Sequence, residues 1–299
     1  MISMGVNSQN SYRYSIGVPV YNEEGHLQNF INSILNQKDF TSYEIIFILS
    51  GCTDNSEAVI ERCIGNDNRY KLLRQEKREG KASAINAFLK EAKGEILILI
   101  SADTVLDKNC LSRIVSVFND SAVGMTGAHS IPLKNSRGII YSMNRVLWDL
   151  HHQLCLKKPK LGELIAFRNI IKKIPFDIAA DEVYIEAVIL KNGYALCYKS
   201  DALVYNSCPV RVKDFFLQRM RLFWGHLDVK KRMKYAAASM EVRLLSQVVI
   251  RYAIKNIHAV IIVVILCSLE IFIRVIASYQ YYRTRKTFPY MYIWPKYNK

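Results

Sequence analysis

The sequence predicts an α/β fold built on a doubly wound, mostly parallel sheet flanked by helices. Three observations lead there. The rhythm of strand, polar turn and helix recurs three times within about the first hundred residues. Ile96-Leu97-Ile98-Leu99-Ile100 is an unbroken aliphatic run without a 3.6-residue period, as expected of a strand buried on both faces. Each apolar run also yields to polar turn formers at its carboxyl end, the edge at which open α/β sheets bind ligands.

Taken in order, the first strand covers 14–20 and closes on Pro19-Val20-Tyr21-Asn22-Glu23-Glu24. A helix follows with Leu27, Phe30, Ile31, Ile34 and Leu35 on one face. The second strand, 43–49, ends in Ser50-Gly51-Cys52-Thr53-Asp54-Asn55-Ser56, rich in turn formers and N-caps. Residues 70–74 form a third strand, and Arg78-Glu79-Gly80-Lys81-Ala82-Ser83-Ala84-Ile85-Asn86 leads into another helix. The central strand then ends in Ser101-Ala102-Asp103. A carboxylate there is placed to receive a ligand or a metal; the competing reading makes Asp103 the cap of a helix starting near Asp107.

Composition narrows the partners. Apolar residues make up 51% of the 299, and the mean hydropathy of +0.04 is high for a soluble enzyme. A formal net charge of +15 suggests an anionic partner: nucleotide phosphates, lipid headgroups or nucleic acid. No nucleic-acid recognition motif supports the last, so none is expected. The seven cysteines include no C-x-x-C pair and read as reduced thiols of a cytosolic compartment. Residues 1–14 are polar and predict no signal peptide.

Read together, Val18-Pro19-Val20-Tyr21-Asn22-Glu23-Glu24, Ser50-Gly51-Cys52-Thr53-Asp54-Asn55-Ser56, Gly80-Lys81-Ala82-Ser83-Ala84-Ile85-Asn86 and Ser101-Ala102-Asp103 resemble the family-2 glycosyltransferases. The likeness is greatest to the membrane-associated branch related to cellulose, chitin and hyaluronan synthases. It continues through Gly162-Glu163-Leu164-Ile165-Ala166-Phe167-Arg168, similar to the family's acceptor-side strand. Ala180-Asp181-Glu182 then precedes Gly193-Tyr194 at the family's spacing, and Gln218-Arg219-Met220-Arg221 resembles the start of a Gln-Arg-x-Arg-Trp motif. The resemblance implies a GT-A (Rossmann-like) fold over 1–232, with a nucleotide-sugar half at 1–104 and an acceptor half at 105–232.

It also implies the site. Glu182, with Asp181 before it, stands where the family carries its catalytic acids; such a base removes the acceptor hydroxyl's proton and is worth roughly 10²–10⁴-fold in rate. The competing reading has both acids capping a helix over 183–190. The donor-binding set is Pro19, Tyr21, Glu23, Ser50, Lys81, Ser101, Ala102, Asp103, Gln218, Arg219 and Arg221. Asp103 would hold Mg²⁺ or Mn²⁺ against the leaving diphosphate, since both prefer oxygen ligands. Arginine suits phosphate through its planar, permanently charged fork. Three positions depart from the family pattern: Ser101 replaces the first Asp of Asp-x-Asp, Ser50 an Asp that meets the base, and Leu222 the motif's Trp. His226 reads as a structural histidine, with a metal or phosphate contact as the competing reading; Trp148 and Glu163 are weighed likewise between structure and the acceptor pocket, and His151 and His152 stay unassigned.

The tail differs in kind. Residues 236–255 alternate apolar Leu244, Leu245, Val248, Val249, Tyr252 and Ala253 with Arg243, Gln247, Arg251 and Lys255, the pattern of an interfacial amphipathic helix. Residues 257–277 are aliphatic apart from His258, Glu270 and Arg274 and are long enough to span a bilayer. Tyr279, Tyr281 and Tyr282 form an aromatic belt before Arg283, Arg285 and Lys286. A membrane-associated tail over 233–299 is expected, with a spanning, hairpin or interfacial arrangement and the catalytic part cytoplasmic; the competing reading makes the apolar segment a long core or oligomerisation helix. Two functions follow. One is an inverting transferase moving sugar from a nucleotide donor, UDP-sugar favoured, to a lipid-linked or polysaccharide acceptor. The other is a catalytically degenerate binder of nucleotide sugar or glycan.

Overall fold

The computed structural model describes residues 12–134 and 138–283. Strand β1 (Tyr14–Val20) lies between β2 (Tyr43–Ser50) and β4 (Ile96–Ile100), parallel to both, and β3 (Tyr70–Gln75) flanks β2. Every residue of β2 and β4 is buried, because helices cover both faces of a parallel sheet. Helices α1 (Glu24–Leu35) and α2 (Ser56–Ile64) pack Leu27, Phe30, Ile31 and Ile60 onto Ile16, Val18 and Phe47. On the opposite face α3 (Lys81–Glu91) sets Ala84, Ile85 and Phe88 against Ile46, Ile48, Leu97 and Leu99. Leu35 is the one member of the expected α1 stripe that stays exposed, at 44%.

Beyond β4 the sheet changes sense. Strand β7 (Leu164–Arg168) inserts antiparallel beside β4; β6 (Val123–Pro132) runs antiparallel to β7 and parallel to β8 (Ala195–Asn206); and β5 (Thr104–Leu106) closes the edge. The order is β3-β2-β1-β4-β7-β6-β8-β5, so the all-parallel part is confined to the first half of the chain. A strand buried on both faces, such as Leu164-Ile165-Ala166-Phe167, reveals burial but not direction. Strand β5 also separates Asp103 from the next helix, α4 (Cys110–Val115), which removes the reading of Asp103 as a cap.

The helices of the second half are α5 (Ile139–Cys155), α6 (Asp181–Lys191), α7 (Val212–Met233), α8 (Val242–Lys255) and α9 (Val260–Arg283). Helix α9 runs along α7 in the same direction, and the contacts advance in step. Val263 and Leu266 share a core with Met143, Leu150, Phe215 and Val248; Ile273 and Ala277 pack on Met220; and Tyr281 meets Trp224 edge-on with ring centroids 5.2 Å apart. Glu270 accepts from Arg219 Nε at 2.5 Å and Nη2 at 3.2 Å, and lies 3.6 Å from Arg274. Tyr281 is therefore core rather than belt, whereas Tyr279 and Tyr282 are exposed. Arg285, Lys286 and residues 1–11, on which the basic flank and the leader expectation rest, lie outside the described residues.

Candidate active site

Gly80, at φ +94°, turns the chain into α3 so that Lys81 opens the helix. Across the sheet edge, α6 begins at Asp181 with Ala180 as a cap that makes no side-chain bond. The two acids therefore occupy the first turn, where the helix dipole favours negative charge. They do not cap. Their side chains reach Lys81, whose Nζ lies 2.9 Å from Asp181 Oδ2 and 2.6 Å from Glu182 Oε1. The cavity around this triad is lined by Pro19 from β1, Leu99, Ile100 and Ser101 from the end of β4, and Glu163 and Ile165 at β7. Glu163 sits at φ +53°, a left-handed conformation that costs a non-glycine residue and recurs at functional sites.

The charges are unequal in their setting. Burial raises the Asp181 carboxyl above its usual range, and the adjacent Glu182 adds to this. Burial also opposes ionisation of Glu182, but the Lys81 charge and hydrogen bond outweigh it and lower that carboxyl to about 2. One turn on, buried Glu186 accepts from Leu161 N at 2.5 Å and Tyr235 Oη at 3.0 Å, tying the loop before β7 to α6. Burial lifts its carboxyl to about 7 despite Lys160 and these bonds. Helix α7 crosses the start of α6 at Gly225. A Cβ there would stand 2.9 Å from Ala180 Cβ and 3.0 Å from Ala180 N, so only glycine permits this approach.

Three loops adjoin at the carboxyl ends of the parallel strands. Asn22 Nδ2 donates to Thr53 Oγ1 at 3.0 Å, Thr53 N returns a bond to Asn22 Oδ1 at 2.8 Å, and Asn55 N donates to Glu24 Oε2 at 2.9 Å. The loop after β3 closes against them. Gly51, at φ +64°, would carry a Cβ 2.5 Å from Arg78 N, and the Arg78 guanidinium lies 3.7 Å from the Tyr21 ring centroid. Glu23 pairs with His26 at 2.7 Å, and Ser50 Oγ is buried without a hydrogen-bond partner.

Of the expected residues, Pro19, Lys81, Ser101, Asp181 and Glu182 thus line one cavity, and Tyr21, Glu23 and Ser50 belong to the adjoining loops. Ala102 and Asp103 are buried behind Ser101, with the Asp103 carbonyl accepting from Ser207 N at 3.4 Å. Gln218, Arg219 and Arg221 lie half-buried on α7, and Arg219 turns away to Glu270. Glu270 is the one acid in the apolar run, but nothing in the sequence links it to a residue 51 positions earlier. His226 is buried, and burial, then Lys160 and Arg219, pull its imidazole well below the usual range, so it is a neutral core group. His151 lies beside Cys155 and Trp148 rather than at the cavity.

Solved structures share this architecture. The mannosyltransferase PcManGT of Pyrobaculum calidifontis, in complex with GDP-Man and Mn²⁺, superposes with a TM-score of 0.62 at 21% identity, covering 94% of this chain and 85% of its own. S. aureus TarS 1-349 in complex with UDP gives 0.54 at 18% identity, covering 81% and 72%. The fold is of the GT-A class. The Glycosyl transferase family 2 model matches residues 15–184, more than half of the chain, which belongs to that family. Glycosyltransferase GlyG of Streptococcus pneumoniae serotype 4 is 33% identical over 100 residues, 33% of each chain. Poly-beta-1,6-N-acetyl-D-glucosamine synthase of Staphylococcus aureus MW2 is 29% identical over 227 residues, 71% of this chain and 54% of its own. The chain thus spans from a third to little over half of the curated relatives it matches.

Proposed function

We propose that this chain is an inverting glycosyltransferase that moves a sugar from a nucleoside-diphosphate donor to a lipid-linked or glycan acceptor at a membrane surface. The observation that carries this reading is the Lys81-bridged acid pair, set at the carboxyl edge of the parallel strands inside the family-matched region. The three adjoining loops and the end of β4 are the crevice for the donor. Glu182 is the base. As the acceptor oxygen bonds to the anomeric carbon, the bond to the diphosphate breaks with its electron pair, the hydroxyl proton passes to Glu182, and the configuration inverts.

A carboxylate held at about 2 is a weak base. Diphosphate oxygens that recruit the Lys81 ammonium release Glu182 from its counter-ion and lift its proton affinity when the acceptor arrives. Lys81 thereby acts on both substrates. Asp103, a buried carboxylate just past the end of β4 and behind Ser101, would hold a divalent cation only together with the donor's phosphates. Among the described residues no cluster of three or more His, Cys, Asp or Glu forms a cage, and Mg²⁺ is ordinarily held by one or two carboxylates plus substrate phosphates. When bound, the ion neutralises the departing diphosphate.

Helices α8 and α9 provide the attachment within the proposed tail of 233–299. By length and apolarity α9 could cross a bilayer. It is nevertheless packed along α7 from Val263 to Tyr281, and α7 carries Lys213, Asp228, Lys230, Lys231 and Arg232. A crossing would drag those charges into hydrocarbon. The exposed faces, with Ile250, Ile254, Ile257, Ile261, Val264, Phe272 and Val275, are instead suited to lying in the interface plane. Free thiols at all seven cysteines accord with a cytoplasmic face.

Transfer assays with UDP- and GDP-sugars, with and without Mn²⁺, test the reading. Glu182→Gln is expected to lower turnover by at least about 10²-fold while donor still raises the melting temperature. Turnover equal to that of the wild type would remove Glu182 from the mechanism.

A further inference from the structure

A groove of about 260 Å³ lies away from the acid pair, between α5, α8 and the end of β6. Its walls carry Lys157, Arg251, Lys255, His129 and His152, with Asp149 the one acid. Asp149 Oδ2 already accepts from Tyr252 Oη at 2.9 Å, and among the described residues Lys157, Arg251 and Lys255 form no ion pair. The two imidazoles stack with centroids 4.0 Å apart, and the Nδ1 atoms are engaged by the Ser200 carbonyl at 3.2 Å and the Tyr198 hydroxyl at 2.8 Å. His129 Nδ1 donates to that carbonyl, which leaves its Nε2 an acceptor in the neutral ring, whereas the Tyr198 hydroxyl can donate to His152 Nδ1 and leave that ring's Nε2–H free to donate. Three cationic side chains and the His152 Nε2–H around one recess make a receptor for a compact anion with several oxygens, which is the chemistry of a phosphate.

The neighbouring surface identifies the source of that phosphate. Ile250 and Ile254 are exposed at 59% and 74%, and each directly precedes a groove cation, Arg251 or Lys255. With ~100° of rotation per residue, the apolar pair and the basic pair occupy adjoining faces of α8. The apolar strip continues through Ile257 and Ile261 onto α9. A ligand with acyl chains on the strip and an anionic head in the recess satisfies both at once. We propose that the groove between α5 and α8 binds the phosphate of an anionic phospholipid headgroup, so that the chain is held at a particular rotation about its membrane-lying helices. This rests on the membrane reading given above and adds a lipid site separate from donor and acceptor.

The test is flotation of the full chain with phosphatidylcholine vesicles, with and without phosphatidylglycerol. The exposed pair is neutralised in Arg251→Gln/Lys255→Gln, and two exposed lysines of the donor half are neutralised in Lys90→Gln/Lys93→Gln. The phosphatidylglycerol-dependent gain in binding is expected to fall about tenfold in the first variant and to persist in the second. Equal losses in both would mean diffuse surface charge and overturn the site. Binding to both vesicle types alike overturns it while sparing the membrane reading; failure to float with either overturns both. Calorimetry with soluble dihexanoyl phosphatidylglycerol and with inorganic phosphate separates the sources. Tighter binding of the lipid is the expected result, and equal or tighter binding of inorganic phosphate would make this a free-phosphate site instead.

Discussion

At the scale of single residues, the side chains that matter carry charges in unequal surroundings. Glu186 is fully buried with its carboxyl raised to about 7 from 4.5. A group whose pKa is raised on folding stabilises below its unfolded value and loses that contribution as pH rises through the folded one. The wild type should therefore lose up to about 3 kcal/mol between pH 4.5 and 7 from this group, and Glu186→Gln should lack that falling component; denaturation of both proteins at several pH values would show it as the difference between them. Glu182 has the opposite sign. Its depressed carboxyl stabilises above pH 4.5 and ceases to do so as pH falls to about 2. Lys81→Met should thus lower the melting temperature more at pH 6 than at pH 3, besides abolishing transfer. Motif order alone placed Asp181, Glu182 and Lys81 in one region. It could not reveal that one ammonium bridges both acids, because residues 101 positions apart meet only through the sheet.

Among the elements, α7 is the one that others lean on. Gly225→Ala must push α7 off the start of α6 by a few tenths of an ångström. We expect about 1–3 kcal/mol of destabilisation, read by thermal unfolding, with a fall in kcat rather than in donor affinity because the acids ride on that turn. Glu270→Ala strands Arg219 in a partly buried position. It should cost more than the exposed-pair control Arg74→Ala, whose partners Glu57 and Glu61 are solvent-facing. Strand runs and helix faces were legible because burial on two faces or one leaves a simple pattern. The reversal at β7 was not, since Leu164-Ile165-Ala166-Phe167 reads the same in either direction. Nor was the docking of α9, because Ile273 and Ala277, which pack on Met220, are apolar like the exposed Phe272 and Val275 beside them.

For the molecule as a whole, the issue is how a basic, apolar-tailed chain sits against lipid. A fluorophore attached in turn at positions 261, 264 and 275 of α9 should be quenched by spin-labelled lipids at one shared, shallow depth. A crossing helix would instead give depths that deepen toward its middle and rise again, and that profile would reject the in-plane arrangement. The tail's hydrophobic length was plain in the sequence. Its orientation was not, because orientation depends on α7 contributing Phe215, Met220 and Trp224 as the other half of a shared core.

That shared core bears on how the protein can be handled. Cutting the chain after Lys255 to obtain a tractable soluble fragment would uncover Met220 and Trp224 and leave Arg219 facing water instead of Glu270. Such a fragment is expected to clump and to lose activity, because the apolar tail also completes the core shared with α5 and α7.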